Sequence, residues 1–128
     1  MDIAEMVEEV KMGTDSRVAA LNELIEKNRA EALDGNNLRA DEVVRLTQKR
    51  DGFVEAMEVA MPLVKEGRMF QALVAAQVQR SRALDSFLFD AMGKFEKLSE
   101  QEAKEMTWRR EGWLLAEHVL KPLVRLAD

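Results

Sequence analysis

The stretch "EALDGNNLRADEVVR", Glu31 to Arg45, predicts that one helix ends, a tight turn follows and a second helix begins. Helix-favouring residues stand on both sides of the turn. Gly35 and Asn36 tolerate the positive φ angles that a reversal of the chain needs. The stretch therefore predicts a helical hairpin, from which the rest of the chain can be assigned outward.

The same stretch also begins like a calcium-binding loop, with an acid at Asp34 and an amide at Asn36. An EF-hand loop needs an oxygen ligand at its fifth position and a bidentate carboxylate at its twelfth. Leu38 supplies no side-chain oxygen at the fifth, and Arg45 at the twelfth would repel the ion. We therefore interpret the stretch as a turn between helices and expect no metal site.

Before the turn, the sequence predicts a short first helix and a longer second one. Gly13 is a plausible residue to end the first helix, and Thr14 or Asp15 can cap the second, which stops near Leu33. Apolar residues at helical spacing mark the inward faces. They are Ile3, Met6, Val7 and Val10 in the first helix, and Val18, Leu21, Ile25 and Ala32 in the second.

After the turn, a long third helix is predicted to begin near Leu38 or Asp41 and to end at Gly67. Pro62 falls inside this span and is expected to kink the helix, because proline removes one backbone donor and crowds the preceding turn. The inward face of the third helix is predicted from its apolar stripe: Val43, Leu46, Phe53, Met57, Ala60 and Val64.

A fourth helix is predicted over 68–97, and a fifth follows it to near the chain end. Ser99 and Glu102 match a capping box, in which the two side chains satisfy backbone N–H groups at a helix start. The inward stripe of the fourth helix is predicted as Phe70, Leu73, Leu84, Leu88, Ala91 and Phe95. The fold class is therefore all-α, a single domain over 1–128 of about five helices, with helices 3, 4 and 5 long and antiparallel.

Composition narrows the possible functions. The chain has no cysteine, which excludes disulfides and thiolate metal sites, and its net charge is -5. The acidity lies in the first 34 residues, which carry nine acids and four bases. Such a field does not favour nucleic-acid binding. No apolar run is long enough to span a bilayer and no signal-peptide core is present, so we expect a cytoplasmic protein without a membrane partner.

Catalytic and metal chemistry find little support in the sequence. His118 is the only histidine, and no Glu-x-x-His pair accompanies it, so we interpret it as a solvated surface residue. No phosphate-binding loop or nucleophile motif occurs. We expect no enzyme activity, catalytic residue, cofactor or metal. Two small basic clusters are explained by salt links to the acidic first quarter: Arg45, Lys49 and Arg50, and Arg80 with Arg82.

The fifth helix carries more apolar surface than one neighbouring layer can cover. Its apolar arc spans about 180°, whereas a helix that packs on one layer needs a little over about 100°. One edge consists of Trp108, Leu115, Val119 and Leu126, and the other consists of Met106, Trp113, Leu120 and Val124. Either the helix lies deep within its own bundle, or one edge meets a second chain, since tryptophan is enriched at interfaces.

The fourth helix shows a similar excess, because Val78 and Phe89 fall on its otherwise polar side. The leading hypothesis is a non-enzymatic protein of the adaptor, chaperone or regulator type. It would act as a homodimer or bind another protein, with Trp108, Leu115, Val119, Leu126, Phe89 and Val78 as partner-binding residues. The alternatives are a small helical enzyme or ligand- or metal-binding bundle that uses a buried carboxylate or His118, and a nucleic-acid binder that uses the basic clusters.

One segment resembles a known family. The hairpin "LNELIEKNRAEALDGNNLRADEVVRLTQK", residues 21–49, is loosely similar to the first hairpin of flagellar export chaperones, with Ala-Leu before a Gly-Asn turn and lysine further on. The resemblance covers under a quarter of the chain. It implies that the fifth helix would be the segment that grips a client protein.

Overall fold

Among the residues that the structure describes, the chain folds into four α-helices rather than the predicted five. The computed structural model describes residues 2–93 and 100–127, with their side chains except those at 83, 84, 86–93 and 127. The helices are α1 (Ile3–Leu33), α2 (Asn37–Lys65), α3 (Met69–Gly93) and α4 (Glu100–Ala127). The predicted all-α class is confirmed. The Ser99 cap and the predicted end of the fourth helix near residue 97 lie outside the described residues.

The two helices predicted before the first turn form one continuous helix, α1, so the predicted break at Gly13 is wrong. Thr14 does not cap a helix: its hydroxyl donates to the Val10 carbonyl at 2.7 Å. A glycine inside a helix costs about 1 kcal/mol relative to alanine. Met6 and Val10 are buried in the core, and burying each contributes roughly 1.5–3 kcal/mol. The gain from extending α1 therefore exceeds the cost of Gly13.

Both tight turns depend on a glycine with positive φ. Gly35 has a φ of 95° and its N–H donates to the Ala32 carbonyl at 3.0 Å, which closes α1 as predicted. Asn36 has a φ of -89°, so the reversal needs positive φ at Gly35 but not at Asn36. Gly67, with a φ of 76°, closes α2 by donating to the Val64 carbonyl, also as predicted.

The centre of the bundle is α2, which packs against each of the other three helices. Pro62 lies inside α2 without ending it. Most of the predicted α2 stripe is buried: Leu46, Phe53, Met57, Ala60 and Val64. Helix α1 runs antiparallel to α2, as two contacts between them show. Arg50 donates a hydrogen bond to the Asn22 side chain, and Arg39 pairs with Glu31.

The predicted inward stripe of α3 begins on the wrong residue. Phe70 was assigned to the core, but it is one of the more exposed apolar residues of the described chain, whereas Leu73 is buried as predicted. The residues that α3 turns inward follow helical spacing from its first position: Met69, Ala72, Leu73 and Ala76. Phe70 lies about 100° around the helix from Met69 and therefore faces away.

The predicted arrangement of the last three helices is not matched exactly: α4 packs more extensively on α2 than on α3. Gly52 and Gly112 lie where these two helices cross. A Cβ atom on Gly112 would overlap the Lys49 carbonyl oxygen and lie 2.6 Å from the Phe53 nitrogen. A Cβ on Gly52 would overlap the Arg109 carbonyl oxygen. The two backbones approach so closely that neither position has room for a side chain.

Candidate protein-binding surfaces

The strip predicted on the last helix is divided between the core and the surface. Val119 is buried. Leu115 is half-buried and packs both on the main core and on a smaller cluster of buried residues from α1 and α2. Val119 lies beside Gly13, so α1 covers this part of the strip. Trp108 is half-buried, and Leu126 is largely exposed. The chain therefore hides the middle of the predicted strip itself and leaves only its ends accessible.

The other edge of α4 lies only partly in the core. Trp113 and Leu120 are buried, whereas Met106 and Val124 are half-buried. The indole Nε1 of Trp113 is buried and has no hydrogen-bond partner in the part of the chain that the structure describes. Trp113 therefore lies in the core, whereas Trp108 is partly exposed, in agreement with their positions on the two edges of the helix.

An exposed apolar surface lies on α3, on the side where Val78 is predicted to bind a partner. Val78 is 40 % exposed, Val74 37 % and Phe70 62 %, and the three repeat at intervals of four residues. Val59 of α2 lies beside them and is 38 % exposed. We call these four residues the outer face. Phe89 also belongs to α3, but its side chain lies outside the described residues.

The outer face lines a groove between α2 and α3 with a volume of about 430 Å³. Polar groups surround the apolar surface: Gln71, Gln79 and Arg82 also line the groove. The Gln79 amide donates to the Glu55 carboxylate at 2.8 Å, which ties α3 to α2 along this edge. An apolar surface with a polar rim is the usual composition of a protein–protein interface.

A second exposed apolar patch lies at the tip of the α1–α2 hairpin. Leu33 and Leu38 flank the turn and are 84 % and 79 % exposed. Sequence reasoning missed this patch, although both residues were visible beside the turn. It also missed the partners of Val78 on the outer face, because Phe70 was assigned to the core.

Three arginines of the basic clusters pair with carboxylates within the chain, but none of these carboxylates lies in the acidic first quarter as predicted. Arg45 bonds Glu42 at 2.6 Å and Glu111 at 2.9 Å. The hydrogen bond from Arg45 lowers the pKa of Glu42, more than burial raises it. Arg50 pairs with Asp51 at 3.2 Å. These cations therefore have carboxylate partners nearby, which reduces the positive field available to a polyanion.

Arg80 makes the most buried ion pair among those described. Its Nη1 lies 2.6 Å from Oε2 of Glu117, and the Glu117 side chain is almost fully buried between α3 and α4. His118, the next residue, is exposed as predicted. Among the described residues, no group of three histidine, aspartate or glutamate side chains could hold a metal ion.

No helix in the described ranges 2–93 and 100–127 has the length and hydropathy to cross a membrane. Comparison with protein-family models, with curated proteins and with solved structures finds no match to this chain. The exposed apolar surfaces are therefore the features of this chain that indicate a function.

Proposed function

We propose that this chain is a non-enzymatic helical protein of the adaptor, chaperone or regulator type, which acts by binding another protein chain through its outer face. The observation that supports the proposal is the repeat of Phe70, Val74 and Val78 along the solvent side of α3, next to Val59. Three apolar residues at intervals of four form a continuous ridge on a helix.

Burial of this ridge against a partner is favourable, because it removes apolar surface from water. Full burial of a phenylalanine or valine side chain contributes roughly 1.5–3 kcal/mol, and each ridge residue is exposed by more than a third. Isolated exposed apolar residues are common on monomers, but a contiguous group with a polar rim marks an interaction site. Partner binding therefore uses the outer face first, with Trp108 and Leu126 at the accessible ends of the α4 strip.

The proposal moves the main contact from α4 to α3. Val119 and most of Leu115 already pack within the chain, so a client that needed these two side chains would have to displace α1. The outer face needs no such rearrangement, since its four residues are exposed in the folded chain. Rigid docking is the ordinary expectation for a surface of this kind.

A photoreactive amino acid at position 70 tests the proposal in living cells that express the full chain. We expect protein adducts on illumination, because the probe would lie inside the interface. The matched control carries the probe at Met12, an equally exposed apolar position on α1 (63 % against 62 % for Phe70). Equal adduct yields at both positions, or no protein adduct at position 70, would contradict the proposed function.

A further inference from the structure

We propose that Asp34–Gly35, at the tip of the α1–α2 hairpin, is a site of spontaneous covalent modification, where the aspartate is converted to isoaspartate through a cyclic succinimide. The inference goes beyond the proposed function and does not depend on the outer face. Its evidence is a contrast within the chain, because Asp51–Gly52 repeats the same dipeptide but lies inside α2.

The reaction needs no reactant from outside the chain except water. The Gly35 amide nitrogen attacks the side-chain carboxyl carbon of Asp34, and the amide proton leaves with the carboxyl hydroxyl group as water. Water then opens the succinimide ring. Opening at the main-chain carbonyl carbon leaves Gly35 bonded to Cγ of Asp34, which is isoaspartate. Glycine after the aspartate favours the attack, because it has no Cβ to crowd the nitrogen.

The hairpin tip leaves Asp34–Gly35 accessible to this reaction. Both residues are exposed, and a Cβ atom on Gly35 would have no other atom within 4 Å. The Asp34 carboxylate forms no ion pair or hydrogen bond with the residues that the structure describes. The Asp34 N–H donates to the Glu31 carbonyl at 3.2 Å, and the Gly35 N–H to the Ala32 carbonyl at 3.0 Å. Opening of one exposed turn therefore frees the attacking nitrogen, and such local opening costs little free energy.

The fold protects the same dipeptide in α2. Asp51–Gly52 lies well inside this helix, so ring closure would have to break helical hydrogen bonds. Gly52 is buried at the crossing with α4, where one added carbon atom would overlap the Arg109 carbonyl oxygen. The Arg50 guanidinium also pairs with the Asp51 carboxylate at 3.2 Å. Reaction at Asp51 therefore requires opening of the core, which costs up to the free energy of global unfolding.

Isomerisation would change the geometry of the hairpin tip. The main chain gains one carbon atom between Asp34 and Gly35, which displaces the Gly35 N–H from the Ala32 carbonyl that it bonds in the native turn. The charge stays the same, because isoaspartate also carries one carboxylate. Leu33 and Leu38 flank this turn and are largely exposed. The modification therefore alters the second apolar patch and leaves the outer face unchanged.

Incubation of the purified full chain in heavy-oxygen water, at mildly acidic pH, tests the inference. Each opening of a succinimide adds one oxygen atom from the solvent, so a peptide that holds a reacted aspartate gains mass. Later digestion with trypsin in ordinary water places the two sites in separate peptides, 30–39 and 51–65. Fragment ions then assign the label to the aspartate. We expect labelling at Asp34 at least about tenfold faster than at Asp51, since a difference of about 1.4 kcal/mol in opening free energy gives that ratio.

The chain denatured in guanidinium chloride is the matched control. Without the fold, Asp34 and Asp51 should take up label at similar rates, because glycine follows both. Part of the labelled peptide 30–39 should separate on chromatography as the isoaspartyl isomer. The variant Asp34→Glu should stay folded and lose this labelling, since glutamate would have to close a larger ring and the Asp34 side chain bonds no described residue.

Equal labelling of Asp34 and Asp51 in the folded chain would overturn the inference. A folded chain that stays unlabelled at Asp34, while the denatured chain is labelled there, would overturn it as well. Both results are independent of the proposed function, because the probe at position 70 reports partner binding separately. Capture of a protein at position 70 without isomerisation would leave the proposed function standing and remove this inference.

Discussion

Two of the four buried side chains on the bundle side of α3 are alanines, whereas the exposed ridge of α3 holds a phenylalanine and two valines. Inward, Ala72 and Ala76 alternate with Met69 and Leu73, and all four are buried. Outward stand Phe70, Val74 and Val78, each exposed by more than a third. Phe70, the one aromatic residue of α3 whose side chain the structure describes, therefore lies on the solvent side of the helix.

The two sides of α3 therefore differ in whether their apolar residues pack inside the chain or remain accessible to solvent. Alanine on the inner side lets α3 approach α2 and α4 closely, so close packing rather than side-chain size stabilises it. Gly52 and Gly112 extend the same principle to the α2–α4 crossing, where backbone meets backbone. The outer side keeps its apolar surface uncovered, which favours association rather than folding. Substitutions should therefore separate a closed side, sensitive in stability, from an open side, sensitive in binding.

The largest expected effect is at the crossing. Gly112→Ala should lower the free energy of unfolding by about 3 kcal/mol or more, because the new Cβ would overlap the Lys49 carbonyl oxygen and press on the Phe53 amide, and backbone atoms cannot rotate away. Urea denaturation followed by circular dichroism measures the loss.

Gly13→Ala is the matched control, since Gly13 is also a glycine inside a helix. Its new Cβ would lie 3.3 Å from Nη1 of Arg17, the mobile end of a side chain, and 3.6 Å from Val119. Alanine should raise stability by up to about 1 kcal/mol there through helix propensity. If Gly112→Ala is as stable as Gly13→Ala, the crossing is not the tight contact described.

Two adjacent residues, Leu73 and Val74, put the comparison on a single turn of α3. Leu73→Ala should cost about 3 kcal/mol, because it leaves a cavity in the core, whereas Val74→Ala should change stability by less than about 0.5 kcal/mol. Urea denaturation of the purified chain, in which no partner protein contributes to stability, gives both values. Equal costs would remove the distinction between the two sides.

The closed side also holds a polar contact, the Arg80–Glu117 pair. Arg80→Met should cost about 2 kcal/mol, because it leaves the buried Glu117 carboxylate without its cation, and Arg80 itself is only partly exposed. In that background Glu117→Gln should recover part of the loss, since it removes the uncompensated charge. A double variant no more stable than Arg80→Met would show that the contact contributes through packing rather than charge.

The sequence predicted the class and the α2 core, because an apolar stripe over many turns of one helix is a local signal that tertiary context rarely reverses. It failed at Gly13, where Gly-Thr-Asp resembles a stop followed by a start. Core packing of Met6 and Val10 outweighs that local preference. At this site the local pattern was present in the sequence, but tertiary packing of the helix outweighed it.

The candidate surfaces show a different limit. The spacing of Phe70, Val74 and Val78 was present in the sequence, but Phe70 was placed on the inward stripe because it lies three residues before Leu73, on the same predicted face. The α2–α4 crossing left no local signal: Gly52 and Gly112 are distant in sequence, and either alone is read only as a weak point in a helix. The covering of Val119 by α1 was likewise hidden, since it depends on α1 being continuous.

The smallest expected effect lies near the start of α2, away from both sides of α3. Arg45 holds the pKa of Glu42 below its usual range, so the carboxylate contributes stability above its unfolded pKa and loses that contribution as pH falls through the lower folded value. Because both side chains remain about one-third exposed, the contribution is about 0.5 kcal/mol. Glu42→Gln should therefore be slightly less stable than wild type near pH 7, and the difference should vanish once the pH falls well below the lowered pKa of Glu42. A gap that persists in acid would assign the effect to packing rather than to charge.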